Sequence, residues 1–225
     1  MTFTVYQHPI WLESEEASMH PGGFKITERA LKHCNIDPSS TILDVGCGAG
    51  STLNVLQNEN KLQGIGIDPS ANLLSYAHQM NANIWLTQAF AEHLPLANEC
   101  IDAVISECTL SLFNAKKAIQ ECQRVLRPNG YFIVSDLYVR DPENIDRLKD
   151  LPTGTCFPRI MDQEKILRLI MINGFKISIW QDCSDALRQF SLCKLTESTD
   201  IDPFDLLISA AQAKLGYYFL IARKK

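Results

Sequence analysis

The sequence predicts an α/β fold: a seven-stranded doubly wound sheet, preceded by an N-terminal helix and carrying a helical insertion between its last two strands. Three observations predict it. Short apolar runs rich in Val, Ile, Leu and Phe alternate with segments whose apolar residues recur at helical spacing, as parallel strands joined by helices do. The first of these runs ends in a cluster of glycines immediately ahead of a helical segment. A chain of 225 residues, 46% hydrophobic, is also long enough to bury one substantial core. The chain 1–225 therefore reads as a single domain. Within it lie an N-terminal cap region over 1–40, a ligand-binding core over 41–181, an insertion over 182–215 and a last strand over 216–225.

The elements follow in order. Gly22 to His33 has helical patterning ahead of the sheet. Thr41 to Val45 is a short apolar strand, and Ser51 to Gln57 a helix beyond the glycines. Leu62 to Ile67 is the second strand, stopped by Asp68-Pro69. Ser70 is placed to cap a helix reaching Met80, because its hydroxyl can accept from a free amide of the first turn. Asn83 to Thr87 and Ile101 to Ser106 are the third and fourth strands. Between Ala115 and Leu126 the residues Ala118, Ile119, Cys122, Val125 and Leu126 form one apolar helical face. Pro128-Asn129-Gly130 is expected to end that helix and turn into a fifth strand, Tyr131 to Val134. A helix over Asp162 to Asn173 stops at Gly174, a left-handed C-terminal position. Phe175 to Trp180 and Tyr217 to Ala222 complete the strands, with helical patterns at Ala186 to Leu195 and Pro203 to Lys214 between them.

Composition excludes several classes. No apolar run approaches the ~20 residues of a membrane span, and the N-terminus lacks the basic start and apolar stretch of a secretory signal. A cytoplasmic setting is the expectation. A net charge of -5 disfavours broad binding to nucleic acid. The cysteines at 34, 47, 100, 108, 122, 156, 183 and 193 form no C-x-x-C pair, so no metal site is expected from spacing.

The most specific stretch is Leu43-Asp44-Val45-Gly46-Cys47-Gly48-Ala49-Gly50. A strand ending in glycines before a helix brings backbone close to a nucleotide-like ligand. A dinucleotide fingerprint needs a third glycine at position 51, where this chain has Ser51. Asp44 would also repel a pyrophosphate, and suits a ligand with a cationic amino group instead. Asp44 to Gly50 resembles the first motif of the class I S-adenosylmethionine-dependent methyltransferases, whose fold is Rossmann-like. Gly66-Ile67-Asp68-Pro69-Ser70 resembles their second motif. Ala91 to Leu96 is similar to their adenine-side loop, and Arg124 to Gly130 to their turn into the fifth strand. Within the family the chain most resembles the small-molecule branch that includes arsenite and quinone-ring enzymes.

The resemblance implies S-adenosyl-L-methionine as cofactor. It places Gly46, Cys47, Gly48 and Gly50 along the methionine part and Asp44 near its amino group. Asp68 would hold the ribose, Pro69 would pack on the adenine, and Ala91 and Glu92 would border its edge. Phe90 departs from the pattern, since relatives often carry an acidic residue there.

Ligands of such sheets bind outside the carboxyl ends of the strands, so residues emerging there are the catalytic candidates. They are Glu107 and Cys108 after the fourth strand and Asp136 after the fifth, with Tyr138, Asp182 and Cys183 nearby. Glu107 reads equally as a solvent-facing carboxylate, Asp136 as a strand-end cap, and His20 rather as a surface histidine than as part of a lid. Cys108, Cys156 and Cys183 could together serve a thiophilic acceptor, or be small buried hydrophobes. The insertion would shape acceptor specificity or form a dimer contact. The expected function is methyl transfer to a small molecule. Alternatives are a protein or RNA methyltransferase, a non-catalytic cofactor-binding protein and, more distantly, a nicotinamide oxidoreductase.

Overall fold

A computed structural model describes residues 20–143, 145, 159–195 and 214–225, the side chains of 191–195 excepted. The elements are α1 (Gly23–His33), β1 (Thr41–Val45), α2 (Ser51–Asn58), β2 (Gln63–Asp68), α3 (Ala71–Met80), β3 (Trp85–Gln88) and β4 (Ile101–Glu107). There follow a 3-10 turn (Leu110–Leu112), α4 (Ala115–Val125), β5 (Leu126–Val139), α5 (Gln163–Ile172), β6 (Phe175–Asp182), α6 (Ser184–Leu195) and β7 (Leu215–Lys224). All seven strands join one sheet in the order β3-β2-β1-β4-β5-β7-β6. The first five are mutually parallel, while β7 runs antiparallel between β5 and β6.

Alternation along the strands divides the core into two layers, because successive side chains point to opposite faces. Val104, Phe132, Val134, Tyr218 and Leu220 pack with Ala118, Ile119, Cys122 and Val125 of α4 and with Ile166 and Ile170 of α5. Their neighbours Ala103, Ile105, Ile133, Tyr217, Phe219 and Ile221 face the other way, against Ile26 and Ala30 of α1, Leu53 and Leu56 of α2, and Leu74 and Ala77 of α3. The helices therefore cover both faces of the sheet, as its apolar strands require.

Local chemistry explains the boundaries. Ser70 Oγ accepts from Leu73 N at 3.3 Å at the start of α3, as its sequence position suggested. Asn114 caps α4 and Asp162 caps α5 in the same way. Gly174, at φ +88°, ends α5 in the left-handed conformation. β3 begins two residues later than its apolar pattern does. Asn81 accepts from Asn83 N at 3.0 Å and donates to Asn54 and Gln57, holding 81–83 in a turn. The expected break at Pro128–Gly130 is a bulge inside β5: Leu126 already pairs with Ile101, and the register then slips before Ala103 meets Tyr131. Asn129 takes up the bend at φ +67°. α6 starts at Ser184, whose amide donates to Asp182 Oδ1 at 2.7 Å. The second helical pattern of the insertion and Cys156 lie outside the described residues. No helix among the described residues is long and apolar enough to cross a membrane.

Candidate functional site

Strand order reverses at β1. From there the chain winds outward through β2 and β3, then returns to place β4 on the other side. The loops after β1 and β4 consequently diverge, and a cleft opens between them at the carboxyl ends of the strands. It is lined by Asp44, Gly46, Cys47 and Gly48 from the end of β1 and its loop, Ser51 and Thr52 from α2, Asp68 from the end of β2, Pro69 and Ser70 from the loop after it, and Leu73 from α3. The opposite wall is Glu107, Cys108, Thr109, Leu112 and Phe113, with His20 from ahead of α1.

The glycine loop is shaped by backbone bonding. Gly46 N and Cys47 N both donate to Ile67 O, at 2.7 and 3.1 Å, folding the loop over the end of β2. Gly46 and Gly48 have φ values of +81° and +51°, in the region that favours glycine. Their surroundings differ. A Cβ on Gly46 would lie 2.5 Å from Thr109 Cγ2, whereas a Cβ on Gly48 would meet no atom of the described residues within 4 Å. Gly48 thus presents bare backbone to open space in the cleft. Thr109 is fixed in turn, its Oγ1 donating to Val45 O at 2.9 Å.

Three carboxylates converge here. Asp68 accepts from Ser70 N at 2.8 Å on Oδ1 and from Gly48 N at 3.0 Å on Oδ2. Each oxygen keeps a lone pair, so the pair of oxygens can still receive a diol. Burial raises its pKa, partly offset by those two amides. Glu107 accepts from Thr27 Oγ1 at 2.7 Å and Thr52 Oγ1 at 2.8 Å, and pairs with His20 Nε2 at 3.2 Å. Burial works to raise its pKa, but the His20 charge and these hydrogen bonds together hold it below the usual range. The same pairing raises His20 above its ordinary value against the effect of burial. Asp44 is 4% exposed and no donor among the described residues reaches it. Burial, followed by the charge of Glu107, raises it well above the ordinary carboxylate value.

Several expectations change on this geometry. Glu107 is an interior hub joining α1, α2 and β4, and no solvent-facing carboxylate. His20 is buried in the cleft wall, where the sequence favoured a surface histidine; its partner lies far along the chain, so local sequence carried no sign of it. Asp136 is 1% exposed and does not line the cleft. It accepts from Ser111 N, Ser111 Oγ and Leu137 N and so pegs the 3-10 turn beneath the wall. Burial nevertheless raises it to about 6. Cys108 lines the cleft in the left-handed conformation at φ +55°, its Sγ donating to Tyr217 OH at 3.5 Å. Cys183 and Asp182 stand outside the lining, with Asp182 accepting from Tyr138 OH at 2.7 Å.

Gly50, Ala91 and Glu92 also lie outside the lining. Gly50 precedes α2 at φ +77°, Ala91 is buried, and Glu92 Oε1 accepts from Asn114 N at 2.7 Å. Phe90 is 60% exposed.

The chemistry of the donor set selects a class of ligand. His20 is the sole basic side chain among the described lining residues, against three carboxylates. Such a lining disfavours a phosphate-bearing nucleotide and is complementary to a cationic ligand. The bare backbone at Gly48 leaves it room.

Comparison with known proteins agrees. The methyltransferase domain family model matches residues 43–134. An uncharacterized methyltransferase of Bacillus subtilis is 31% identical over 159 residues, spanning 68% of this chain and 68% of that protein. Phosphoethanolamine N-methyltransferase of Plasmodium falciparum is 28% identical over 178 residues, spanning 75% of this chain and 65% of that protein. The crystal structure of the [4+2]-cyclase SpnF superposes with a TM-score of 0.76 at 23% identity, covering 98% of this chain and 94% of that one. On motif, switch-point cleft and relatives together, the chain belongs to the class I S-adenosylmethionine-dependent methyltransferases.

Proposed function

We propose that this protein transfers a methyl group from S-adenosylmethionine to a small-molecule acceptor, in the cleft between the ends of β1 and β4. The observation that carries the reading is the composition of the cleft: three carboxyl groups around a glycine turn, with no lysine or arginine among the described lining residues. When bound, the cofactor supplies a methyl group on a cationic sulfur, which an acceptor displaces in line.

Residues divide the work of holding it. Asp68 would receive the ribose hydroxyls on the lone pairs its backbone donors leave free, and Pro69 with Leu73 would offer an apolar surface to the base. Asp44 would pair with the amino group, while Gly46, Cys47 and Gly48 allow close approach of backbone. Gly50 would act through the turn into α2. Ala91 and Glu92 would support the base side through the loop that Glu92 ties to α4.

For the acceptor we assign the wall after β4, where Cys108, Leu112 and Phe113 present a soft and largely apolar surface. Alignment of acceptor and methyl group alone can supply about 7–11 kcal/mol of the barrier. Glu107 is a weak base in this setting, and we give it the role of fixing the wall; Asp136 does the same for the turn at Leu110–Leu112. A small acceptor is supported by the name of the Plasmodium relative and by the net charge of -5, which opposes a polyanionic substrate. Cys34, Cys47, Cys100, Cys122 and Cys183 are in the thiol form, which suits a reducing, cytoplasmic compartment. Calorimetry with S-adenosylhomocysteine and NAD tests the cofactor. Saturable binding of the first without the second is expected, and the reverse would refute the reading.

A further inference from the structure

The fold supplies the three carboxylates of the cleft unequally. Glu107 has two hydroxyl donors and an imidazole partner, and Asp68 has two backbone amides. Asp44, at 4% exposure, has none among the described residues. A buried carboxylate without donors is costly as an anion, and the cheapest remedy available to it is a proton. Its charged surroundings reinforce this. Glu107 from the end of β4 and Asp68 from the end of β2 both disfavour a further negative charge, while His20 from ahead of α1 offsets part of their effect. The remaining titratable neighbour, the Cys47 thiol, is held neutral chiefly by burial.

We propose that Asp44 is a protonated carboxylic acid in the ligand-free cleft and exchanges that proton for the ammonium group of the cofactor's amino-acid end. Its O–H bond breaks, the proton passes to buffer, and the carboxylate forms an ion pair with the incoming –NH3+; no electrons change hands. The exchange rests on the cofactor assignment above and adds a selectivity to it. A ligand bearing a cation at that end compensates the ionised Asp44, whereas a neutral nucleoside leaves the proton in place and gains nothing from the residue. Asp44 thereby becomes the group that distinguishes an intact amino-acid end from a truncated one. The sign of the pH dependence follows. Because the bound form has one proton fewer, affinity for a cationic ligand rises with pH and levels off above the Asp44 pKa of the free protein.

Calorimetric titration of the full-length protein in buffers of different ionisation enthalpy counts the protons exchanged on binding. S-adenosylhomocysteine is expected to release up to about one proton on the acid side, with affinity falling about tenfold per pH unit there. 5′-Deoxy-5′-methylthioadenosine, which lacks the amino-acid end, is expected to bind without proton release, a comparison that needs only the wild-type protein. In Asp44→Asn the release with S-adenosylhomocysteine is expected to vanish, and in His20→Gln to persist. Binding of S-adenosylhomocysteine with no proton exchange at any pH, or release that survives Asp44→Asn, would overturn the exchange while leaving the cofactor assignment standing. Absence of binding by either ligand would overturn both.

Discussion

Glu107 and His20 form a pair whose energetics are set almost entirely by burial. Their side chains are 6% and 7% exposed, so the pair is little screened and the loss of one partner leaves the other uncompensated. His20 titrates above its ordinary 6.5, so its contribution is complete below that value and is lost as pH rises through the raised one. Glu107 titrates below its ordinary 4.5, so its share is complete above 4.5 and is lost as pH falls through the lowered value. Both are fully present between 4.5 and 6.5. Glu107→Gln is expected to destabilise the fold by about 3–5 kcal/mol within that window. Urea denaturation of both proteins across pH should show the difference narrowing on either side, and a difference independent of pH would contradict the ion pair. Neither residue could be assigned this role from sequence. Asp44, Gly46, Gly48 and Asp68 stood out because they sit in two short motifs, whereas the pairing of His20 with Glu107 depends on how α1 crosses the end of β4.

At the scale of elements, the loop joining β1 to α2 carries two glycines in the same backbone region but with different duties. Gly46 is squeezed by Thr109, which is itself fixed to Val45, so Gly46→Ala must displace a residue with nowhere to go. Gly48→Ala meets no atom of the described residues and pays chiefly for its positive φ, about 1 kcal/mol. Thermal denaturation should therefore show a large loss for Gly46→Ala and a small one for Gly48→Ala. Ligand binding should nonetheless fall in both, since the new methyl group at 48 occupies the cleft. Unimpaired binding by Gly48→Ala would remove that loop from the ligand site. Most elements were legible beforehand because their caps are local, as with Ser70, Asp162 and Gly174. The bulge at Pro128–Gly130 was not, since proline and glycine after a helix read as a turn; only the pairing of Leu126 with Ile101 shows the strand already under way. The late start of β3 likewise depends on Asn81 reaching Asn54 and Gln57 of α2.

Across the whole molecule, the sheet order explains why chemistry gathers where it does. Two helical layers bury both faces of the sheet, and the reversal at β1 leaves one place where the loops part. Buried carboxylates from three different strands and loops meet there, giving a cationic ligand a complementary site in a chain of net charge -5. Alternating strands and helices made the layers readable from sequence; the antiparallel insertion of β7 between β5 and β6 has no local signature, because β7 is sequentially last but spatially interior. The chemistry expected at this cleft is methyl transfer to a small molecule. Its most direct test supplies purified protein with S-adenosylmethionine labelled in the methyl group, together with either the ultrafiltered small-molecule fraction of a cell lysate or its retained macromolecules. Labelled product and S-adenosylhomocysteine are expected with the filtrate alone. Label transferred only to the retained fraction would contradict the acceptor class, and no transfer with either would contradict the claim of a methyltransferase acting on cellular substrates.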